Sequence, residues 1–227
     1  MPDLPRPCDT HPDLVAFRHP LPHLMEGLKR QRKIKIVAIG SSSTAGADNI
    51  IPYPPRLELA LRNRFYGRMV DVLNRGVGGQ EAADELSRFE SDVIQEAPSL
   101  VIWQVGTNAV FRNQDYNPDE VAAAIAAGLD RLAVLTMDVV LMDLQYTRAI
   151  TGPDKLGLSE AMVARIAAAA ERAGVNLFRR FALMRRWNED GTPLQELDDG
   201  GGLHTSDWAT NCVTQALDGA IAGAQQV

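Results

Sequence analysis

An apolar run, Ile34-Lys35-Ile36-Val37-Ala38-Ile39, ends in Gly40-Ser41-Ser42-Ser43-Thr44-Ala45-Gly46. This pattern predicts a buried strand entering a tight turn, with hydroxyls at the strand's carboxyl end. In open α/β sheets that edge is where ligands bind. A serine hydroxyl is a weak nucleophile until an imidazole accepts its proton. The chain has four histidines, and three of them (His11, His19, His23) precede the first strand. The fourth, His204, lies in Asp198-Asp199-Gly200-Gly201-Gly202-Leu203-His204-Thr205-Ser206-Asp207. Acyl transfer also needs N–H donors for the developing oxyanion. Two further segments offer them: Asn74-Arg75-Gly76-Val77-Gly78-Gly79-Gln80 and Gly106-Thr107-Asn108-Ala109. Ser42 as nucleophile, His204 as base, and the Ser42 N–H, the Gly79 N–H and the Asn108 amide as oxyanion donors would complete such a site.

Each residue also has a plainer reading. Serine caps turns and helices. Gly79 suits a turn that needs positive φ, a role compatible with oxyanion donation. Asn108 could be a cap and His204 a solvated loop residue. Tyr146, Phe111 and Trp208 lie near the same segments, as pocket walls or as packing. Met142 and Met184 read as core filler.

Positioning these groups requires parallel strands whose carboxyl ends share one rim. Apolar runs at Ile34–Ile39, Met69–Leu73, Leu100–Val105, Asp138–Leu144 and Val175–Phe178 alternate with helical patterns. A helix begins at Pro54-Pro55 with Leu57, Leu61 and Phe65 on one face. The span 80–97 reads as one helix stopped by Pro98. Asn117-Pro118 opens another that carries Val121, Ile125, Leu129 and Leu132, and 159–173 reads as a third, ended by Gly174. Thr205 or Ser206 caps a last helix through Ala222. The alternation predicts a three-layer α/β/α sandwich around a parallel sheet. Residues 1–30, rich in proline, read as an N-terminal arm, and 31–227 as a single domain.

These four segments resemble the SGNH hydrolases, the GDSL esterase/lipase family. The family's first block, Gly-Asp-Ser-Leu-Thr-x-Gly, corresponds to Gly40–Gly46 with Ser41 in place of the aspartate. Its Asn-x-Gly-x-x-Gly corresponds to Asn74–Gly79, and its Gly-x-Asn-Asp to Gly106–Ala109 with alanine last. The resemblance spans Ile34 to about Ala222. It implies a flavodoxin-like fold with five parallel strands, a Ser42 nucleophile and an oxyanion hole of Ser42, Gly79 and Asn108. The fourth block departs. The family has an aspartate three residues before its histidine, and Gly201 stands there. Asp199 as the acid, Asp198 as the acid, or a Ser–His dyad all remain open.

Net charge is −6, from 23 basic and 29 acidic residues, which argues against nucleic acid as a partner. No apolar run is long enough to span a bilayer as a helix. No metal-ligand cluster or cofactor motif is evident, and the glycine loops lack P-loop or dinucleotide spacing. The N-terminus lacks a signal-peptide core, so as it stands the chain reads as cytoplasmic. It would be periplasmic or secreted if a leader had been removed and Cys8 and Cys212 were bridged; the alternative is two separate thiols. The expectation is a metal-free serine esterase acting on small or carbohydrate-linked acyl esters, acetyl-type among them. An O-acyltransferase using the same site and a non-catalytic binding module retaining the fold are the alternatives. Oligomeric state is not readable.

Overall fold

A computed structural model describes residues 6–47 and 49–224; residues 1–5, Asp48 and 225–227 lie outside the described part. Five parallel strands form one sheet: β1 (Lys33–Gly40), β2 (Met69–Gly76), β3 (Leu100–Gln104), β4 (Asp138–Met142) and β5 (Asn176–Phe178). Their order is β2-β1-β3-β4-β5, the flavodoxin-like arrangement. The chain leaves β1 toward β2 and then returns to the other side of β1 for β3. The crevice between the carboxyl ends of β1 and β3 is therefore the topological switch point, where such folds bind ligands.

Alternate side chains of each strand face opposite layers. Ile34, Ile36, Ala38, Leu100, Ile102, Val140 and Met142 pack under the helices Pro22–Arg30, Tyr53–Arg64 and Asp207–Gly223. Val37, Ile39, Val101, Trp103, Val139 and Leu141 pack under Ala82–Ser87, Pro118–Ala133 and Leu156–Ala173. Leu57 and Leu61 of Tyr53–Arg64, and Val121, Ile125, Leu129 and Leu132 of Pro118–Ala133, are buried, as their spacing requires. Ser206 caps the last helix by accepting from the Ala209 N–H at 3.2 Å. No helix among the described residues is long and apolar enough to cross a membrane.

Three features differ from the pattern reading. The span 80–97 is not one helix: Ala82–Ser87 is α-helical, and Glu90–Ile94 forms a wider π-helical turn. Phe89 and Val93, four positions apart, are both fully buried and Leu86 is partly buried, as the helical spacing requires. A helix at Arg180–Glu189 went unread, because its three arginines interrupt the apolar stripe. The described part of the proline-rich segment, from Arg6 on, packs against the domain, and Pro22–Arg30 is helical. Val15, Phe17, Leu21, Leu24 and Leu28 are buried in the same cluster as the sheet. Asp138 at the start of β4 accepts from the His23 and Leu24 N–H groups, and Asn176 at the start of β5 accepts from those of Arg18 and His19. Backbone groups that proline-rich sequence cannot pair in a helix are thus satisfied by the sheet's amino edge. Cys8 is bridged to Cys212 in the last helix.

Candidate active site

Ser42 opens the one-turn helix Ser42–Ala45 directly beyond β1. The turn is tied down from beside and below. Asn74 donates its side-chain amide to the Ala45 carbonyl at 3.2 Å and accepts from the Gly76 N–H at 2.9 Å. A Cβ at Gly76 would lie 2.1 Å from the Ala45 nitrogen, so only glycine lets β2 approach the serine turn this closely. Ser41, which replaces the family's aspartate, donates from both its N–H and its hydroxyl to the Gln104 side-chain oxygen, at 3.1 and 3.0 Å. Gln104 is the one polar residue of buried β3, and it serves as the floor of the serine turn.

His204 faces this turn. Its Nε2 lies 2.9 Å from Ser42 Oγ, and its Nδ1 lies 3.3 Å from Asp199 Oδ2. Separation five brings acid and base together because the loop is a small hairpin. Asp198 and Thr205 form an antiparallel bridge, and the Asp199 N–H donates to the His204 carbonyl at 3.0 Å. Asp199 and His204 are therefore cross-strand neighbours, whose side chains stand side by side. Gly200 and Gly202, at φ +89° and +88°, turn the chain through backbone angles that other residues resist. The other Asp199 oxygen accepts from the Gly201 and Gly202 N–H groups at 2.9 and 3.1 Å, which fixes the carboxylate's orientation.

Asp198 points away from the histidine. Its side chain is fully buried and pairs with both ends of the Arg148 guanidinium at 2.6 and 2.7 Å. Burial pushes its carboxyl up, but Arg148 and the Gly200 N–H outweigh this and hold it below the usual carboxylate range. Arg148 also donates to the Gly200 carbonyl, and the Ala149 N–H donates to that of Gly202. The segment after β4 thus clamps the histidine loop.

The oxyanion candidates are organised by a different group. Gly79 sits at φ +80° in the loop after β2. Asn108 lies in the short helix Thr107–Phe111 after β3 and donates one amide hydrogen to the Gln80 carbonyl at 2.8 Å. Glu81, nearly inaccessible, joins the two loops: its carboxylate accepts from the Ala82, Gly106 and Ala109 N–H groups at 3.0, 2.8 and 2.9 Å. Ala109, where the family has aspartate, contributes its backbone instead. Glu85 lies fully buried one helical turn on and accepts from the Trp103 indole at 2.7 Å, while its Oε1 has no partner. Burial raises both carboxyls, and the Glu81 charge raises Glu85 further. Two adjacent carboxylates cannot both ionise cheaply. The three N–H donors at Glu81 oppose the rise there, so Glu85 is the more strongly raised of the two.

None of the three aromatic candidates is among the residues that line the small cleft beside Ser42. Tyr146 packs edge-on against Phe181 at 5.0 Å. Trp208 packs against Trp187, donates to the Arg6 carbonyl and has the Arg6 guanidinium over its ring. Phe111 is partly exposed. The small cleft beside Ser42 is lined instead by Ser43, Gly46, Ala47, Ile50, Pro52, His204, Thr205 and Thr210. Sequence reasoning also passed over Glu81, Gln104 and Arg148. The one available signal was a polar residue interrupting an apolar strand or closely flanking a glycine loop.

Comparisons with known proteins follow the same outline. One curated relative, described as the uncharacterized lipoprotein YqeF of Bacillus subtilis (strain 168), is 34% identical over 76 residues. That match spans only 32% of this chain and 31% of the relative. Among solved structures, Axe2, an acetylxylan esterase from Geobacillus stearothermophilus, superposes with a TM-score of 0.72 at 20% identity, covering 83% of this chain and 94% of Axe2. LAE5, an alpha/beta hydrolase enzyme from the metagenome of Lake Arreo, Spain, gives 0.70 at 21% identity, with coverage of 83% and 96%. At such identities the likeness is one of fold. The model of the Non-GDSL lipase-like family matches residues 7–226, and its name agrees with a first block that reads Gly-Ser-Ser-Ser. The chain belongs to the Non-GDSL lipase-like family.

Proposed function

We propose that this protein is a serine esterase of the SGNH type that hydrolyses small acyl esters, acetyl esters of carbohydrates among them. The observation that carries the reading is the continuous contact from Asp199 through the His204 ring to Ser42 Oγ, at 3.3 and 2.9 Å. Ser42 Oγ attacks the ester carbonyl and passes its proton to His204 Nε2. Asp199 accepts the Nδ1 hydrogen, holds the ring in that tautomer and stabilises the imidazolium. The carbonyl oxygen becomes an oxyanion that takes hydrogen bonds from the Gly79 N–H, the Ser42 N–H and the second amide hydrogen of Asn108. The first N–H groups of a helix have no intrahelical acceptor, so that of Ser42 is free to donate. His204 Nε2 returns the proton to the leaving alkoxide, and an acyl-enzyme remains on Ser42. Water then attacks, with His204 again taking and returning a proton, and the acid leaves.

The cleft beside Ser42 has a volume of only ≈ 20 Å³, on the order of one or two water molecules. Its wall of Ala47, Ile50 and Pro52 fits a methyl group, whereas a long acyl chain would lie in solvent. Axe2 acts on acetylated xylan by its description, and its catalytic mutants replace a serine, a histidine and an aspartate. That supports the same class of ester for this chain. The test is turnover of a p-nitrophenyl ester series. Acetate is expected to be cleaved with a higher kcat/KM than butyrate, and octanoate least. Ser42→Ala is expected to lose essentially all turnover, and a phosphonylating reagent to leave its adduct on Ser42. Equal rates for wild type and Ser42→Ala would remove the esterase reading.

A further inference from the structure

Between the serine turn, the oxyanion helix and the histidine loop lies one amide, that of Gln145, fully buried three residues beyond β4. Its oxygen accepts from Ser43 Oγ at 3.2 Å, from Thr107 Oγ1 at 2.9 Å and from Arg180 Nη2 at 2.8 Å. Its nitrogen donates to the Leu203 carbonyl at 3.0 Å. Ser43 adjoins Ser42, Thr107 adjoins Asn108, and Leu203 adjoins His204. One side chain therefore touches the immediate neighbour of three of the five residues that the esterase reading places in the chemistry: Ser42, Asn108 and His204.

The amide cannot be turned round. Arg180 has only donors and a carbonyl has only acceptors, so the oxygen must face Arg180 and the nitrogen must face Leu203. Arg180 is itself buried and is held by donation to the Asp143 carbonyl at 3.1 Å. Burial pulls its guanidinium down to about 10, which leaves it charged at neutral pH. Thr147 Oγ1 donates to the same Leu203 carbonyl at 3.0 Å. The carbonyl preceding the catalytic histidine thus receives two buried donors, both from the segment after β4. A buried polar hub of this kind is costly unless every member is satisfied, and then it specifies one arrangement.

We infer that Gln145 is a positioning residue that holds the His204 loop in register with the Ser42 turn, its oxygen on Ser43 and its nitrogen on Leu203. The inference rests on the esterase reading for its effect on rate, and on geometry alone for its effect on the imidazole.

Gln145→Glu is nearly isosteric. It keeps the acceptors for Arg180, Ser43 and Thr107 and removes the donor to Leu203. A small displacement of His204 weakens proton transfer without touching the substrate cleft. With p-nitrophenyl acetate the variant is expected to lose ~10- to 100-fold in kcat, with KM within about two-fold of wild type. In ¹⁵N spectra of the imidazoles, assigned with His204→Ala, the Nε2 resonance of His204 is expected to move toward its position in Ser42→Ala. Gln145→Met, uncharged and of similar length, is the second variant should the carboxylate prevent folding. Its kcat is expected to fall at least as far. A folded variant with wild-type kcat and an unmoved His204 resonance would overturn the inference, as would a rise in KM with kcat intact. If the wild type itself cleaves no ester, the esterase reading fails. The imidazole spectra then still decide whether Gln145 sets the Ser42–His204 contact.

Discussion

The two halves of the site are held by opposite means. The Ser42–His204 contact joins residues 162 positions apart, and its loops are fastened by hydrogen bonds spread over several side chains, Gln104, Gln145 and Thr147 among them, plus one ion pair, Arg148–Asp198, whose arginine is 40% exposed. The oxyanion half joins Gly79 and Asn108 through a single buried carboxylate, Glu81, bonded to backbone N–H groups no more than 28 positions away. On the esterase reading, one half places a base that moves a proton, and the other places dipoles that stay still. Fixed dipoles aimed at developing charge need no reorganisation at the moment of reaction. The difference predicts that damage to the first half costs more than damage to the second.

The sharpest test of that contrast pairs Asp199→Asn with Asn108→Ala. Loss of the carboxylate on Nδ1 favours the wrong tautomer, which in the serine-protease case costs roughly 10⁴-fold in kcat. Removing one of several oxyanion donors costs about 10²- to 10³-fold. Both variants are expected to keep KM near wild type. The comparison breaks if Asn108→Ala proves as damaging as Asp199→Asn, because the oxyanion half would then carry the larger share. Asp198→Asn should behave differently again. It is expected to lower thermal stability by unpairing Arg148 while retaining far more turnover than Asp199→Asn.

A smaller effect is expected within the oxyanion half, where the two glutamates should separate. Glu81→Gln replaces a carboxylate that accepts three N–H groups by an amide that brings its own N–H toward one of them. A stability loss of ~1–3 kcal/mol and about a ten-fold fall in kcat are expected. Glu85→Gln replaces the more strongly raised carboxyl of the pair by a neutral amide, and it should cost less than Glu81→Gln. A carboxyl whose folded value is raised binds a proton that the unfolded chain has released, so its stabilising effect fades as pH rises from the unfolded value through the folded one. Wild type should therefore lose stability as pH rises from the ordinary carboxylate range through the raised value of Glu85, and Glu85→Gln should lose less over that span. Urea unfolding at a series of pH values reads this directly. Parallel curves for the two proteins would show that the Glu85 carboxyl is not raised on folding.

Much of this arrangement was legible in the sequence, for identifiable reasons. The central strands β1, β3 and β4 follow from apolar runs buried on both faces, β2 and β5 from shorter runs at the sheet's edges, and the glycine loops at their carboxyl ends follow from turns that only such residues make. The hidden parts depend on contacts across the fold. Two aspartates side by side, Asp198 and Asp199, cannot be told apart by spacing. Their roles divide only when a hairpin pairs Asp199 with His204 and Arg148 arrives from the segment after β4. Gln145 and Glu81 read as ordinary polar loop residues until three loops converge on them. Tyr146 and Trp208 lie close in sequence to the site, yet they pack against Phe181 and Trp187. The amphipathic spacing of 80–97 is real, and Phe89 and Val93 are buried as it requires, but the π-helical turn at Glu90–Ile94 leaves no mark on the pattern.

The smallest effect on turnover is expected from the Cys8–Cys212 bridge. It closes a sequence separation of 204 residues and anchors the N-terminal segment to the last helix, whose cap, Ser206, lies two residues beyond His204. A bridge stabilises chiefly by restricting the unfolded chain, typically by ~2–4 kcal/mol. Reduction should therefore lower the melting temperature of a protein this size by roughly 5–15 °C. At 25 °C, however, kcat should stay within about two-fold, because the hairpin, Arg148, Thr147 and Gln145 hold His204 independently of the helix behind it. Cys8→Ser/Cys212→Ser gives the same comparison without reductant. If turnover collapsed while the protein remained folded, His204 would be positioned from the last helix as well as from the segment after β4. The contrast between the two halves would then have to be redrawn to include the far end of the chain.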